Sequence, residues 1–173
     1  GFGKTISSIY LATWTKMKTV VLVFHDILQK QWVDEIRKCT NAKVQHIKHS
    51  REVLDPDADF YVIGIGRAKV MPREKFVNIG TVIVDEVHFA IEASFCKSLF
   101  NFEPYYLIGA SATPDRPDGL HKILYFYFGN KKDFIVRKET DKTFKVIKYK
   151  TRFKPNVEKV VIFGKIRDKW SKI

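Results

Sequence analysis

Three short apolar runs that do not alternate with polar residues constrain this chain more than any other feature. They are Thr19-Val20-Val21-Leu22-Val23-Phe24, Asp59-Phe60-Tyr61-Val62-Ile63-Gly64-Ile65 and Thr81-Val82-Ile83-Val84-Asp85. Each is too short for a buried helix and rich in β-branched or aromatic side chains. A strand with one wet face carries a polar residue at every second position, whereas a strand covered on both faces need not. Both faces can be covered only if helices lie on each side of the sheet, which requires crossover connections and parallel strands. The helical segments are present. Ile6 to Trp14 has apolar residues at helical spacing and is expected to be a buried helix, and Leu28, Trp32, Val33 and Ile36 form the stripe of an amphipathic helix running to Cys39. A weaker strand is expected at Val44 to Ile47, and a last one at Tyr105 to Gly109. The expected fold class is α/β, a doubly wound and mostly parallel sheet.

Composition agrees with a folded globule: 45% of the 173 residues are hydrophobic and 14 are Phe. No apolar run approaches the ~20 residues that cross a bilayer, and no signal peptide opens the chain, so an intracellular protein without a membrane partner is expected. Cys39 and Cys96 lack metal-ligand spacing and are expected to be reduced core thiols. Lys and Arg number 31 against 19 acidic residues, a net charge of +12. That excess suits a polyanionic partner, since cationic side chains release the counterions of nucleic acid. It also suits a merely basic, soluble surface, and the motifs must decide.

Doubly wound sheets bind ligands beyond the carboxyl ends of their strands, and the polar motifs fall there. Gly1-Phe2-Gly3-Lys4-Thr5 has the form of the closing half of a phosphate-binding loop. Glycines let backbone N–H groups surround phosphate, the following helix aims its positive end at it, Lys4 would reach the outer phosphates, and the Thr5 hydroxyl would hold Mg²⁺. The alternative is an ordinary glycine turn before a helix. Asp85-Glu86-Val87-His88 closes an apolar strand. Adjacent carboxylates repel unless a cation compensates them; with Mg²⁺, Asp85 can hold the metal while Glu86 activates the attacking water. Without it, the pair would simply cap the next helix. Gly109-Ala110-Ser111-Ala112-Thr113-Pro114 supplies small hydroxyl residues beyond the neighbouring strand.

Gly-Lys-Thr, Asp-Glu-Val-His and Ser-Ala-Thr, in that order, resemble motifs I, II and III of superfamily 2 DExH helicases. Leu28-Gln29-Lys30-Gln31-Trp32 and Ala112-Thr113-Pro114-Asp115-Arg116-Pro117-Asp118-Gly119 narrow the resemblance. They are similar to the group holding the XPB repair helicase, the phage enzyme UvsW and helicases of large DNA viruses. The likeness covers residues 1–128 well.

The resemblance implies a RecA-like P-loop lobe that uses ATP and Mg²⁺. Gly1, Phe2, Gly3, Lys4 and Thr5 would bind nucleotide, Thr5 and Asp85 the Mg²⁺, and Glu86, Asp85 and Lys4 would act in hydrolysis. His88, Ser111 and Thr113 would couple nucleotide state to nucleic acid, with double-stranded DNA the expected partner. Gly66 and Arg67 stand where a backbone-contacting motif is expected, although the usual preceding threonine is absent. Arg116 stands where XPB carries an Arg-Glu-Asp element, here Arg116-Pro117-Asp118. Phe89, Phe95, Phe100 and Tyr125 to Phe128 could stack bases but are better explained as core.

The expected organisation is a first RecA-like lobe over 1–130, cut within its phosphate loop. Residues 131–173 would form an edge hairpin (Phe134–Arg137 with Phe144–Tyr149) and a linker around Pro155. The tail from Val160 would then lead to a second RecA-like lobe of the same polypeptide. No Gln-x-x-Gly-Arg-x-x-Arg run occurs, so the piece alone is expected to be nearly inactive, lacking the arginine finger that the second lobe supplies. Two other functions fit the residues: the motor subunit of a restriction or remodelling complex, and a non-catalytic nucleic-acid-binding scaffold.

Overall fold

The computed structural model describes residues 3–89, 93–112, 119–135, 157–162 and 165–170. It divides into two units, 1–137 and 138–173. In the first, helix α1 (Lys4–Thr15) is followed by β1 (Thr19–Val23), α2 (Asp26–Cys39), β2 (Val44–Ile47), β3 (Phe60–Gly64), the single turn α3 (Ile65–Ala68), β4 (Thr81–Asp85), α4 (Ala93–Leu99), β5 (Tyr106–Ala110) and α5 (Leu124–Phe128). The strands form one sheet in the order β2-β3-β1-β4-β5, and all four pairings are parallel.

The side chains of successive strand residues leave the sheet on opposite sides, which explains the unbroken apolar runs. Val21, Val23, Phe60, Val62 and Ile83 pack with Ile9, Ala12, Trp32, Val33 and Ile36 of α1 and α2. Val20, Leu22, Tyr61, Ile63, Val82 and Val84 pack on the other side with Ile65, Ala68, Met71, Phe76, Phe102 and Leu124. β1, β3 and β4 are buried along their whole length. The outer strands β2 and β5 are only partly buried, each having one neighbour in the sheet.

Three expectations change. Helix α1 is not buried: only Ser8, Ile9 and Ala12 face the sheet, while Ile6, Tyr10 and Trp14 stand exposed, because a single narrow stripe meets the strands. Cys39 is an exposed thiol at the end of α2, not a core one, and Cys96 is half-buried; the two are not joined in a disulfide. Phe89, Phe100 and Phe126 are exposed rather than core, whereas Tyr127 and Phe128 do pack against it; a description of the Phe95 side chain lies outside the described residues.

In the second unit, β6 (Val157–Ile162) and β7 (Lys165–Trp170) pair antiparallel, Val157 opposite Trp170. A hairpin therefore stands where the sequence reading places connecting chain. The hairpin read over Phe134–Tyr149 falls almost wholly outside the described residues. Among the described residues no helix is long and apolar enough to cross a membrane.

Candidate functional site

The carboxyl end of β4 and the start of α1 meet. Gly3 caps α1 in the left-handed conformation (φ 71°), which glycine adopts at no steric cost, and its carbonyl accepts from the Ser7 N–H at 2.9 Å. Lys4, the first helical residue, reaches across 82 positions of sequence to donate from Nζ to Glu86 Oε1 at 3.0 Å. The lysine and the second acid of Asp-Glu thus share one corner of the sheet. Thr5 follows on the same first helical turn, half-buried. Gly1, Phe2, Thr113 and Arg116 lie outside the described residues.

Asp85 ends β4 with 8% of its surface exposed. Burying a carboxylate is costly unless its oxygens are hydrogen-bonded, and both are. Oδ2 accepts from the Trp32 indole Nε1–H at 2.8 Å, and Oδ1 from the Glu86 backbone N–H at 2.9 Å. Asp85 lies two positions beyond Ile83, hence on the same side of the sheet, where α2 carries Trp32. Glu86 turns the chain sharply with φ 48°, which among the described non-glycine residues only Lys16 (φ 52°) shares.

The next link runs to β5. His88 Nδ1 lies 2.8 Å from Ser111 Oγ, one donating to the other, and 3.3 Å from Glu86 Oε2. Lys4, Glu86, His88 and Ser111 therefore form one chain of contacts from the phosphate-loop helix to the residue after β5. The His88 ring also packs on Phe89 at a centroid distance of 4.1 Å.

Oxygen donors of this kind fit a hard divalent cation. Mg²⁺ is usually held by one or two carboxylates together with phosphate oxygens, not by a protein cage. Among the described residues no three His, Cys, Asp or Glu gather into such a cage; at this corner the remaining lone pairs of Asp85, with the Thr5 hydroxyl, are the oxygen donors that could hold such an ion.

A second polar cluster lies beyond β1, β2 and β3, and the sequence reading missed most of it. Arg67 donates from Nη1 to Gln29 Oε1 (3.0 Å) and from Nη2 to Asp26 Oδ1 (2.9 Å). Gln29, 1% exposed, also donates from Nε2 to Asp26 Oδ1 at 2.9 Å and lies 3.1 Å from His46 Nε2. Gly64 makes this possible, since a Cβ there would come within 2.7 Å of Arg67 Nη1 and 2.8 Å of Gln29 Nε2. Arg67 holds the Asp26 carboxyl below its usual range. Burial, helped by the charges of Lys48 and Arg67, pushes the His46 imidazole down. Beside the cluster opens a pocket of about 510 Å³ lined by Lys48, His49, Ser50, Arg51 and Arg67. A Cβ at Gly66 would meet nothing within 4 Å, so the backbone there is open to approach. One signal for Gln29 was available: it shares the buried face of α2 with Trp32, Val33 and Ile36, and a polar residue in such a stripe needs a partner.

Residues 1–116 match the family model described as type III restriction enzyme, res subunit. Protein 161L of invertebrate iridescent virus 6, which bears a helicase name, is 35% identical over 164 residues, covering 91% of this chain and 36% of the viral protein. Among solved structures, the Sulfolobus solfataricus SWI2/SNF2 ATPase core in complex with double-stranded DNA superimposes with a TM-score of 0.63 at 19% identity, over 78% of this chain and 32% of that one. The UvsW helicase of bacteriophage T4 gives 0.58 at 20% identity, over 70% and 48%. These two likenesses concern the fold. The chain spans about a third of the length of its viral relative.

Proposed function

The chain belongs to the type III restriction enzyme res-subunit family and forms an N-terminal RecA-like lobe of a superfamily 2 helicase; from that premise we infer that it binds and hydrolyses ATP with Mg²⁺ and couples hydrolysis to movement on nucleic acid, duplex DNA foremost. The single observation that carries this reading is the 3.0 Å contact of Lys4 with Glu86 beside the buried Asp85. A lysine at a helix start, with two carboxylates at a strand end, suits a triphosphate and its counter-ion. The ammonium that rests on Glu86 would turn to the outer phosphates, freeing the carboxylate to orient water. Mg²⁺, held by Asp85 and Thr5, would supply charge neutralisation at the phosphates. His88 and Ser111, in contact with Glu86 and with each other, would carry the state of the site to β5 and, with Thr113 beyond it, to bound nucleic acid.

The nucleic acid would lie over the basic pocket. Four of its five lining residues are Lys, Arg or His, and the chain's net charge of +12 points the same way. A second RecA-like lobe of the same polypeptide would complete the site with an arginine finger, consistent with a viral relative far longer than this chain. The family match also favours a motor that works within a restriction assembly, a reading that shares the same ATP chemistry.

The test is the natural protein with Lys4→Ala, assayed for ATP hydrolysis with duplex DNA, single-stranded DNA and RNA. Stimulated hydrolysis is expected to fall at least roughly 100-fold, with the largest stimulation of the unaltered protein coming from duplex DNA. Normal hydrolysis by the Lys4→Ala protein would overturn the assignment, and ATP-indifferent binding would favour a scaffold.

A further inference from the structure

Trp32 reads from sequence as a core residue, and at 2% exposure it is one. Yet a buried indole carries one N–H that must be satisfied, and this one points at a site carboxylate. A large apolar side chain would fill the space between α2 and the sheet without a donor; tryptophan fills it and also donates a hydrogen bond into Asp85 Oδ2, at 2.8 Å. The Glu86 N–H holds the other oxygen, so the two donors fix the rotation of the carboxylate about its Cβ–Cγ bond and leave only the remaining lone pairs to face outward. Val21 and Ile83, fully buried, pair in register on the neighbouring strands β1 and β4, and α2 packs against them through Trp32, Val33 and Ile36. The donor therefore sits on a rigid support.

We propose that Trp32 is a positioning residue that holds Asp85 in the orientation in which it engages the divalent cation of the nucleotide. This rests on the ATP-hydrolysing reading above. Hydrogen-bond partners behind a metal-binding group tune its affinity for the metal, commonly by 10-fold or more.

Trp32→Phe in the natural protein keeps an aromatic ring, smaller than the indole, and deletes the donor. The Mg²⁺ concentration for half-maximal ATP hydrolysis is expected to rise roughly 10-fold, while kcat at saturating Mg²⁺ falls much less. A merely structural role would lower activity at every Mg²⁺ concentration and leave the half-maximal point unmoved. That result would overturn the proposal. A second measurement needs no turnover. In ¹⁵N-labelled protein the Trp32 indole N–H resonance, identified by its loss in Trp32→Phe or by assignment, should be protected from exchange, shift in Asp85→Asn and broaden on adding Mn²⁺ with a non-hydrolysable ATP analogue. A resonance indifferent to both would overturn the proposal even if Trp32→Phe failed to fold. Absence of ATP hydrolysis by the unaltered protein would instead sink the underlying function, so the two failures are told apart.

Discussion

The two polar clusters at the carboxyl rim of the sheet are built in opposite ways. Around β4 the groups are closed on one another: Lys4 on Glu86, Trp32 on Asp85, His88 on Ser111. Beyond β2 and β3 the charges are more open: Lys48, His49, Arg51 and Arg67 line a pocket, with Asp26 holding the Arg67 side chain and Glu52 accepting from the Lys48 and His49 backbone N–H groups. A closed, pre-organised cluster suits chemistry on one small ligand; an open basic one suits a long polyanion held by many weak contacts. Both depend on one helix. α2 presents Gln29 to the open cluster and Trp32 to the closed one, three residues apart on the same face.

Gln29→Leu tests whether the open cluster is anchored as firmly as the closed one. The substitution keeps the volume but leaves Arg67 and His46 without their shared acceptor. A loss of about 1–3 kcal/mol in unfolding free energy is expected, with Mg²⁺ dependence of hydrolysis unchanged; an altered Mg²⁺ requirement would mean the clusters are not separable. Arg67→Ala sharpens the contrast from the binding side. Loss of one phosphate contact should weaken duplex binding by about 1–2 kcal/mol and reduce the slope of log affinity against log salt by about 1, with ATP hydrolysis in the absence of nucleic acid held constant. An unchanged salt slope would remove Arg67 from the interface. The smallest effect is in pH. The His46 value is lowered on folding from an ordinary 6.5, so near and below that pH the unfolded chain binds more protons than the folded one. Stability is then full above pH 6.5 and falls as the pH drops through that value towards the folded one. His46→Gln should flatten this part of a stability–pH curve, and a curve of unaltered slope would exclude His46 as its source.

The difference between the clusters also marks what the sequence disclosed. The three central strands were legible because burial on both faces leaves unbroken apolar runs, and β2 and β5 as shorter, weaker stretches of the same kind. That Lys4, Asp85, Glu86, His88 and Ser111 gather at one corner was legible from the order of the motifs and from the resemblance they carry. Asp26 and His46 were not legible, since each is ordinary alone and acquires meaning only when β1, β2 and β3 bring them together, and Gln29 signalled a need for a partner without saying which. Trp32 was legible as packing but not as a donor, because a contact spanning 53 positions leaves no trace in local pattern. The exposure of α1 was misjudged because apolar residues at helical spacing reveal a helix but not which of its sides is covered.

The left-handed turns at Lys16 and Glu86 carry a final consequence. Both hold a side chain in a conformation that costs a non-glycine residue about 1–2 kcal/mol. At Lys16, an exposed helix terminus, glycine should relieve that cost and raise the melting temperature by a few degrees with hydrolysis intact. At Glu86 the same relief should come with loss of turnover, since the carboxylate leaves with the strain. Selection for heat tolerance alone would thus drift towards glycine at both bends, and on the proposed role of Glu86 the demand for turnover would hold an acid at the second. A thermal screen that recovers Glu86→Gly among stabilised, silent variants would display that conflict in a single residue.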